Sequence, residues 1–374
     1  MKPVHSGRLE RWLGRETCEH LSLVMRRWYA DPIAVAGVPG AVYVGGDGEF
    51  YGTLEAGFEV GAVDRLALSA RRILRGYRRA CRPRPAFAAG FSSLLDLIAE
   101  ARSGKMVTLH FNKTQTTNTA GATFSYWLTG VYPVAGSSAI TSGTTGTNFS
   151  RTTQGAFNGM WNPASGDQLH FIDGWCQNIG GPASILLYDR IWGYDKTMNT
   201  TADDNIYSGN VSRYQSINAG DWDSARGNFI SCEVWSALAA TAHTSNFYYA
   251  NQDETYGRTA SAVGIASCVA NRVDLADATP QWFVNLQSPD TGVKEISVIS
   301  HSAAVATGGM HYFIGHPIAW LPSFHASLAT RIDGLGSALQ LQRVDPEAAL
   351  ALMKVGHISG AQTNTRGAFR LASG

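Results

Sequence analysis

Eight arginines stand between Arg65 and Arg84 with no acidic residue among them, the densest chemistry-bearing run in this 374-residue chain. The periodicity predicts an amphipathic helix from Asp64 to Pro83. At a helical repeat, Leu66, Ala70, Ile73, Leu74, Tyr77 and Cys81 share one face, and Arg71, Arg72, Arg75, Arg78, Arg79 and Arg82 share the other. A cationic face of this kind suits an acidic protein surface, a nucleic acid or an anionic membrane. Docking on an acidic partner is the favoured reading, with a nucleic-acid contact or a solvated basic face as alternatives. The acids are sparser. Asp203-Asp204 and Asp221-Trp222-Asp223 are the tight clusters, and they lack the ligand spacing of a calcium loop. His301, His311 and His316 fall on or near late strands and read as strand or loop histidines. The chain has no HExxH, GxSxG or phosphate-loop pattern, so neither a metal nor a cofactor is expected. Trp192, Tyr248, Tyr249 and Trp282 are either core residues or a sugar-stacking face, and alternation along a strand favours core.

The elements that must carry these residues fall into three regions. Residues 1–91 form an anchor region: an opening helix stopped at Asp31-Pro32, a hairpin in VPGAVYVGGDGEFYGTLEAGF with turn residues GGDGE, and the arginine helix. Phe91, Leu94, Leu95 and Ile98 predict the stripe of a further short helix that Gly104 ends. From Met106 the pattern turns to strands: MVTLHF, ATFSYWLTGVYPV, then runs at Leu169–Trp175, Ala183–Trp192, Asn228–Leu238, Ser245–Ala250, Thr259–Ile265, Gln281–Leu286, Lys294–Ser300 and Met310–Ile318. Strands at this density without intervening helices predict a mainly β fold, a jelly-roll-like sandwich over residues 92–321. Residues 322–374 are expected as a C-terminal arm, with a helix beginning at Asp345-Pro346-Glu347 and a loose tail in SGAQTNTRGAFRLASG.

Composition sets the bounds. The net charge is +1, with 16 Lys and Arg against 11 Asp and Glu in residues 1–105 and 14 against 18 in the remainder. Charged residues make up 16% of the chain and Gly alone numbers 40, which suits turn-rich β structure and surfaces that close on other subunits. The cysteines, Cys18, Cys81, Cys176, Cys232 and Cys268, are odd in number and lack CxxC spacing, so reduced thiols and a cytoplasmic site of folding are expected. MKPVHSGRLERWLGRE has no apolar signal-peptide core, and no apolar run approaches the ~18 residues of a membrane span. The expectation is synthesis without classical export and no membrane contact.

Four segments carry a family resemblance: Tyr188-Asp189-Arg190-Ile191-Trp192, Cys232-Glu233-Val234-Trp235, the tyrosine-rich strand ending in Gly257-Arg258-Thr259, and Asp290-Thr291-Gly292-Val293 leading into EISVIS. With GKMVTLHFNKTQTTNTAGATFSYWLTGVYP upstream, they make residues 92–320 resemble tailed-bacteriophage virion structural proteins. The resemblance implies a non-catalytic capsid-surface, vertex or tail-associated component made in the host cytoplasm and located in the virion. A capsid decoration or stabilising protein is the leading expectation, and a tail or collar adhesin that binds a host glycan is the alternative. A virion-borne glycan hydrolase is the weakest reading. Implied partners are the major capsid, portal or tail protein and further copies of this chain, with a trimer expected. Packaged DNA is a partner only if the arginine helix faces inward.

Overall fold

The computed structural model describes residues 42–44, 50–52, 94–114, 122–136, 146–152, 157, 161, 169–206, 208, 213–214, 225–276, 281–323, 325, 327–333, 343–356 and 364–373. The chain divides into two compact units, Met1–Pro85 and Ala86–Gly374. In the first, β1 (Val42–Val44) and β2 (Phe50–Gly52) pair antiparallel across the expected hairpin. The arginine helix and its six named arginines lie outside the described residues, as do Cys18 and Cys81.

The second unit begins with α1 (Leu94–Arg102), which ends at Gly104 in a left-handed conformation (φ 87°). Its buried contact is Leu97, packed with Met106, Ile172 and Ala372, whereas Ile98, expected in the buried stripe, is exposed. The strands follow in chain order: β3 (Met106–Thr114), β4 (Thr123–Ser125), β5 (Val131–Tyr132), β6 (Thr147–Asn148), β7 (Leu169–Ile179), β8 (Ala183–Thr197) and β9 (Asp204–Asn205). Then come β10 (Phe229–Ser236), β11 (Thr244–Asn251), β12 (Arg258–Val263), β13 (Val293–His301), β14 (Gly309–Leu321), β15 (Ala329–Asp333), β16 (Arg343–Val344), β17 (Leu350–Gly356) and β18 (Asn364–Ser373).

The mainly β, layered antiparallel architecture expected from the strand pattern is present, with these strands divided among three sheets. One sheet has the order β10-β14-β8-β17-β4, with β6 also on β8. A second has the order β12-β11-β13-β9, and a third β15-β7-β18-β3-β5, with β16 also on β7. The first sheet is the core of the unit. Every residue of β8 from Ala183 to Tyr194 is buried, which requires cover on both faces, because successive side chains point to opposite sides. One continuous apolar cluster joins the three sheets, with Phe247 and Ile299 from the four-stranded sheet, Ile185, Tyr312 and Leu352 from the first, and Leu109, Phe171 and Phe369 from the third. Cys176, Cys232 and Cys268 are free thiols within it, and burial pushes the Cys176 thiol up to about 12.

Three expectations are corrected. The segment Gln281–Leu286 is not a strand; only Val284 N–H reaches β10, at the Ile230 carbonyl (2.8 Å), while Trp282 packs edge-on against Phe229. Its aromatic residues serve as cover for β10 and not as members of a ladder. Asp345-Pro346-Glu347 forms a turn, in which the Asp345 carboxylate accepts the Glu347 N–H, and it leads into strand β17 instead of a helix. Burial of every side chain from Leu350 to Val355 between β8 and β4 overrides the helical preference of AALALMK. The segment expected as a loose tail is β18, which pairs with β7 on one side and β3 on the other. Its inward residues Gly367, Phe369 and Leu371 alternate with Arg366 and Arg370, so the C-terminal residues complete the sandwich and are not an arm. Phe369 is fully buried and meets Phe157 edge-on at 5.2 Å. Phe369→Ala is expected to cost about 3–5 kcal/mol of stability, measured by chemical denaturation against the unsubstituted chain.

Candidate functional site

The segments that carried the resemblance hold the charges buried most deeply in the fold. Asp189 and Arg190 are consecutive on β8, both fully buried, and therefore point to opposite faces. Asp189 accepts Arg213 Nε (2.8 Å) and Nη2 (3.0 Å) in a two-pronged pair, and also the Ala349 N–H (2.8 Å) at the entry to β17. Burial pushes its carboxyl above the usual carboxylate range, opposed by the Arg213 guanidinium.

On the other face Arg190 Nη1 meets Glu233 Oε1 at 2.6 Å, with both side chains fully excluded from solvent. The guanidinium lies over Phe313 (4.1 Å), Trp127 (4.9 Å) and Phe149 (5.4 Å). Beyond the ion pair, this cation is served by aromatic faces, which attract a desolvated cation most strongly. Glu233 and His311 stand opposite each other on β10 and β14, with Nδ1 and Oε1 3.2 Å apart, and the Trp235 ring stacks on His311. Burial raises the Glu233 carboxyl, but Arg190 and His311 outweigh it and hold it at about 2. A bulge at Ile191 sets Arg190 against Gly315 of β14. A Cβ on Gly315 would fall 2.6 Å from the Phe229 ring and 3.0 Å from Tyr188, so the aromatic packing beside Arg190 needs a glycine there.

The remaining two segments form a second pair. Arg258, at the start of β12, meets Asp290 at 2.7 Å, and Asp290 also accepts Tyr249 Oη (2.6 Å) and Asn251 Nδ2 (2.8 Å). Burial works against the charged form, but these hydrogen bonds hold the Asp290 carboxyl below the usual range. Gln252 Oε1 accepts the N–H groups of Thr291 and Gly292, so the turn is tied to the end of β11.

The other singled-out residues disperse. His316 Nδ1 bonds Asn228 Oδ1 (2.8 Å) while its ring stacks on Tyr214, and His301 bonds Tyr312 Oη. Asp204 pairs with Lys196 (2.7 Å), and Asp221 and Asp223 lie outside the described residues. Among the described residues no group of His, Cys, Asp and Glu is placed to hold a metal ion. Trp192 and Tyr249 are core residues, Trp282 is half-buried, and Tyr248 is exposed.

One concave feature was not foreseen. On the outward face of the third sheet a depression of about 270 Å³ is lined by Thr108, Asp173, Trp175, Arg331, Ala368 and Arg370. Asp173 accepts Arg370 Nε (2.6 Å) and is also bridged by Arg370 Nη2 and Arg331 Nη2. The Arg370 hydrogen bond, with Arg331 adding to it, holds the Asp173 carboxyl below its ordinary range. The signal was available in sequence as Asp173 and Trp175 two apart on one strand, and Arg366 and Arg370 four apart on another.

No protein-family model and no curated protein matches the sequence. Among solved structures the chain is similar to the infectious bursal disease virus VP2 subviral particle, at 9% identity over 71% of this chain and 79% of that one, with a TM-score of 0.16. It is likewise similar to the structure of the Gx strain of infectious bursal disease virus, at 12% identity over 72% and 80%, also with a TM-score of 0.16. A TM-score of that size marks local correspondence and assigns no role.

Removing one partner of a buried ion pair strands the other charge in the core. Arg190→Ala and Glu233→Ala are each expected to cost about 3–5 kcal/mol, and a double replacement by Met and Leu markedly less than the sum. Because Glu233 titrates lower folded than unfolded, its contribution is complete above its ordinary pKa of 4.5 and is lost as pH falls toward about 2. Thermal melts across that window should show a shallower acid decline for Glu233→Gln than for the unsubstituted chain.

Proposed function

We propose that this chain is a non-catalytic structural component of a tailed-bacteriophage virion, a capsid decoration or stabilising protein that assembles on other virion proteins. One observation carries the reading. The segments that resemble such proteins use their charges to join strands, inside the fold as the Arg190–Glu233 and Asp189–Arg213 pairs and at its half-buried margin as Arg258–Asp290. Charges that knit strands together serve rigidity, and a rigid antiparallel sandwich is what a load-bearing subunit requires. The chain is proposed to be made in the host cytoplasm, to act in the virion, and to form a homo-oligomer, with a trimer as the expected state.

Mass spectrometry of purified particles should find the chain at fixed stoichiometry to the major capsid protein, and light scattering of the purified protein should find an oligomer. Its absence from particles would overturn the assignment.

The helix bearing Arg71, Arg72, Arg75, Arg78, Arg79 and Arg82 is proposed as the docking element, set against an acidic surface of the major capsid, portal or tail protein. Each exposed pair is worth no more than ~1 kcal/mol, so docking rests on the patch as a whole. Arg72, Arg75 and Arg79 replaced together by Glu should leave the sandwich folded and block incorporation into particles. Normal incorporation would leave a solvated basic face as the role of this helix.

A further inference from the structure

We propose that the depression on the outward face of the third sheet binds an acidic saccharide, seating one carboxylate-bearing sugar ring between Trp175 and the Arg331–Asp173–Arg370 cluster. The site is written across four strands. One rung runs Arg331, Trp175, Ala368, His110, and the adjacent rung places Asp173, Arg370 and Thr108 side by side. Side chains alternate across a sheet, so these residues share the outer face while Leu109, Phe171 and Phe369 occupy the inner one. Ala368, small between Trp175 and His110, forms the floor. Beneath it the packing is tight: a Cβ on Gly174 would stand 2.8 Å from the Leu321 side chain. The floor is therefore held rigid by the core.

The chemistry converges on a sugar. Trp175 is 36% exposed, an indole left partly uncovered beside polar groups. An indole face accepts the C–H face of a pyranose, and carboxylate and guanidinium groups at its rim match the hydroxyls. Asp173 fixes both arginines before any ligand arrives, so little ordering is lost on binding. Arg331 nonetheless keeps 65% of its side chain exposed. Arg331 and Arg370 set two guanidinium groups against Asp173, the one carboxylate that lines the depression, and this excess of positive charge favours a sugar acid over a neutral sugar. The volume, just below the ~300–1,000 Å³ of drug-sized pockets, suits one ring. A single-stranded nucleic acid would want a succession of stacking aromatics along a basic groove, and Trp175 is the one such ring lining this depression. The inference is independent of the assembly role, and its failure would leave that role standing.

The test is calorimetric titration of the full chain with a glucuronate-containing tetrasaccharide and a sialylated trisaccharide, alongside neutral chitotetraose and an eight-residue oligo-dT. Saturable binding of at least one acidic saccharide is expected, tighter than chitotetraose. Trp175→Ala should weaken it about tenfold, the scale of one aromatic contact, with Trp175→Phe recovering part of the loss. Arg331→Gln should erase the preference for the acidic over the neutral sugar. Unchanged melting temperatures establish that the variants fold, and should Trp175→Ala not fold, the Arg331→Gln comparison decides. Three results would each overturn the proposal: no saturable binding of either acidic saccharide, binding indifferent to both substitutions, or oligo-dT binding tighter than every saccharide.

Discussion

Arg190 and Glu233 meet in the interior of the central sheet, and the surrounding architecture is arranged around the cost of placing them there. Two desolvated charges are tolerable only at close contact and with their remaining capacity served. That requirement draws in Trp127, Phe149 and Phe313 around the guanidinium and brings His311 to Glu233 Oε1, and it is met in part, since Arg190 Nε and Nη2 and Glu233 Oε2 make no hydrogen bond among the described residues. It also sets the register. Glu233 faces His311 across β10 and β14, and the Ile191 bulge rotates β8 so that Arg190 arrives on the same side. A slip of β8 by one residue would turn Arg190 to the opposite face and leave both charges unpaired. The pair therefore contributes specificity of register more than net stability. Asp189, on the reverse face, does the same for Arg213 and the start of β17.

Much of this was legible in sequence and some was not, for reasons that can be placed on single residues. The strand expected at Ala183–Trp192, which runs on to Thr197, announced itself through a run of β-branched and aromatic residues, and its consecutive Asp189 and Arg190 were visible as a motif. Their partners were not visible, because pairing across β14 depends on register, and register is a property of the assembled sheet. β18 was missed although its alternation was present: Asn, Thr, Gly and Ser around NTRGAFRLAS read as loop chemistry, and only its position between two strands distant in sequence gives Phe369 and Leu371 a core to enter. AALALMK is a good helix by propensity and a strand by burial. The Trp175 depression depends on residues from four strands, so no single segment could have disclosed it.

The two kinds of charge in this unit have different uses. The interior pairs are closed systems, each cation matched to its carboxylate and shielded from salt. The outer face of the third sheet is open: Arg366 is exposed there, and Arg331 and Arg370 share the carboxylate of Asp173. Salt and competing anions will reach the second set and not the first, so the sandwich can hold its form while its surface contacts are tuned by the medium.

The place of β18 has a consequence for how the chain is made. β3 and β7 belong to one sheet, and β18, at residues 364–373, lies between them and pairs with both, although it leaves the ribosome some 250 residues after β3 is complete. Until β18 arrives, two ladders stand with open edges, each a template for pairing with another chain. Closure by a strand so far along the chain ties burial of those edges to synthesis through residue 373: a nascent chain that stops short of β18 exposes them, and one that includes it hides them.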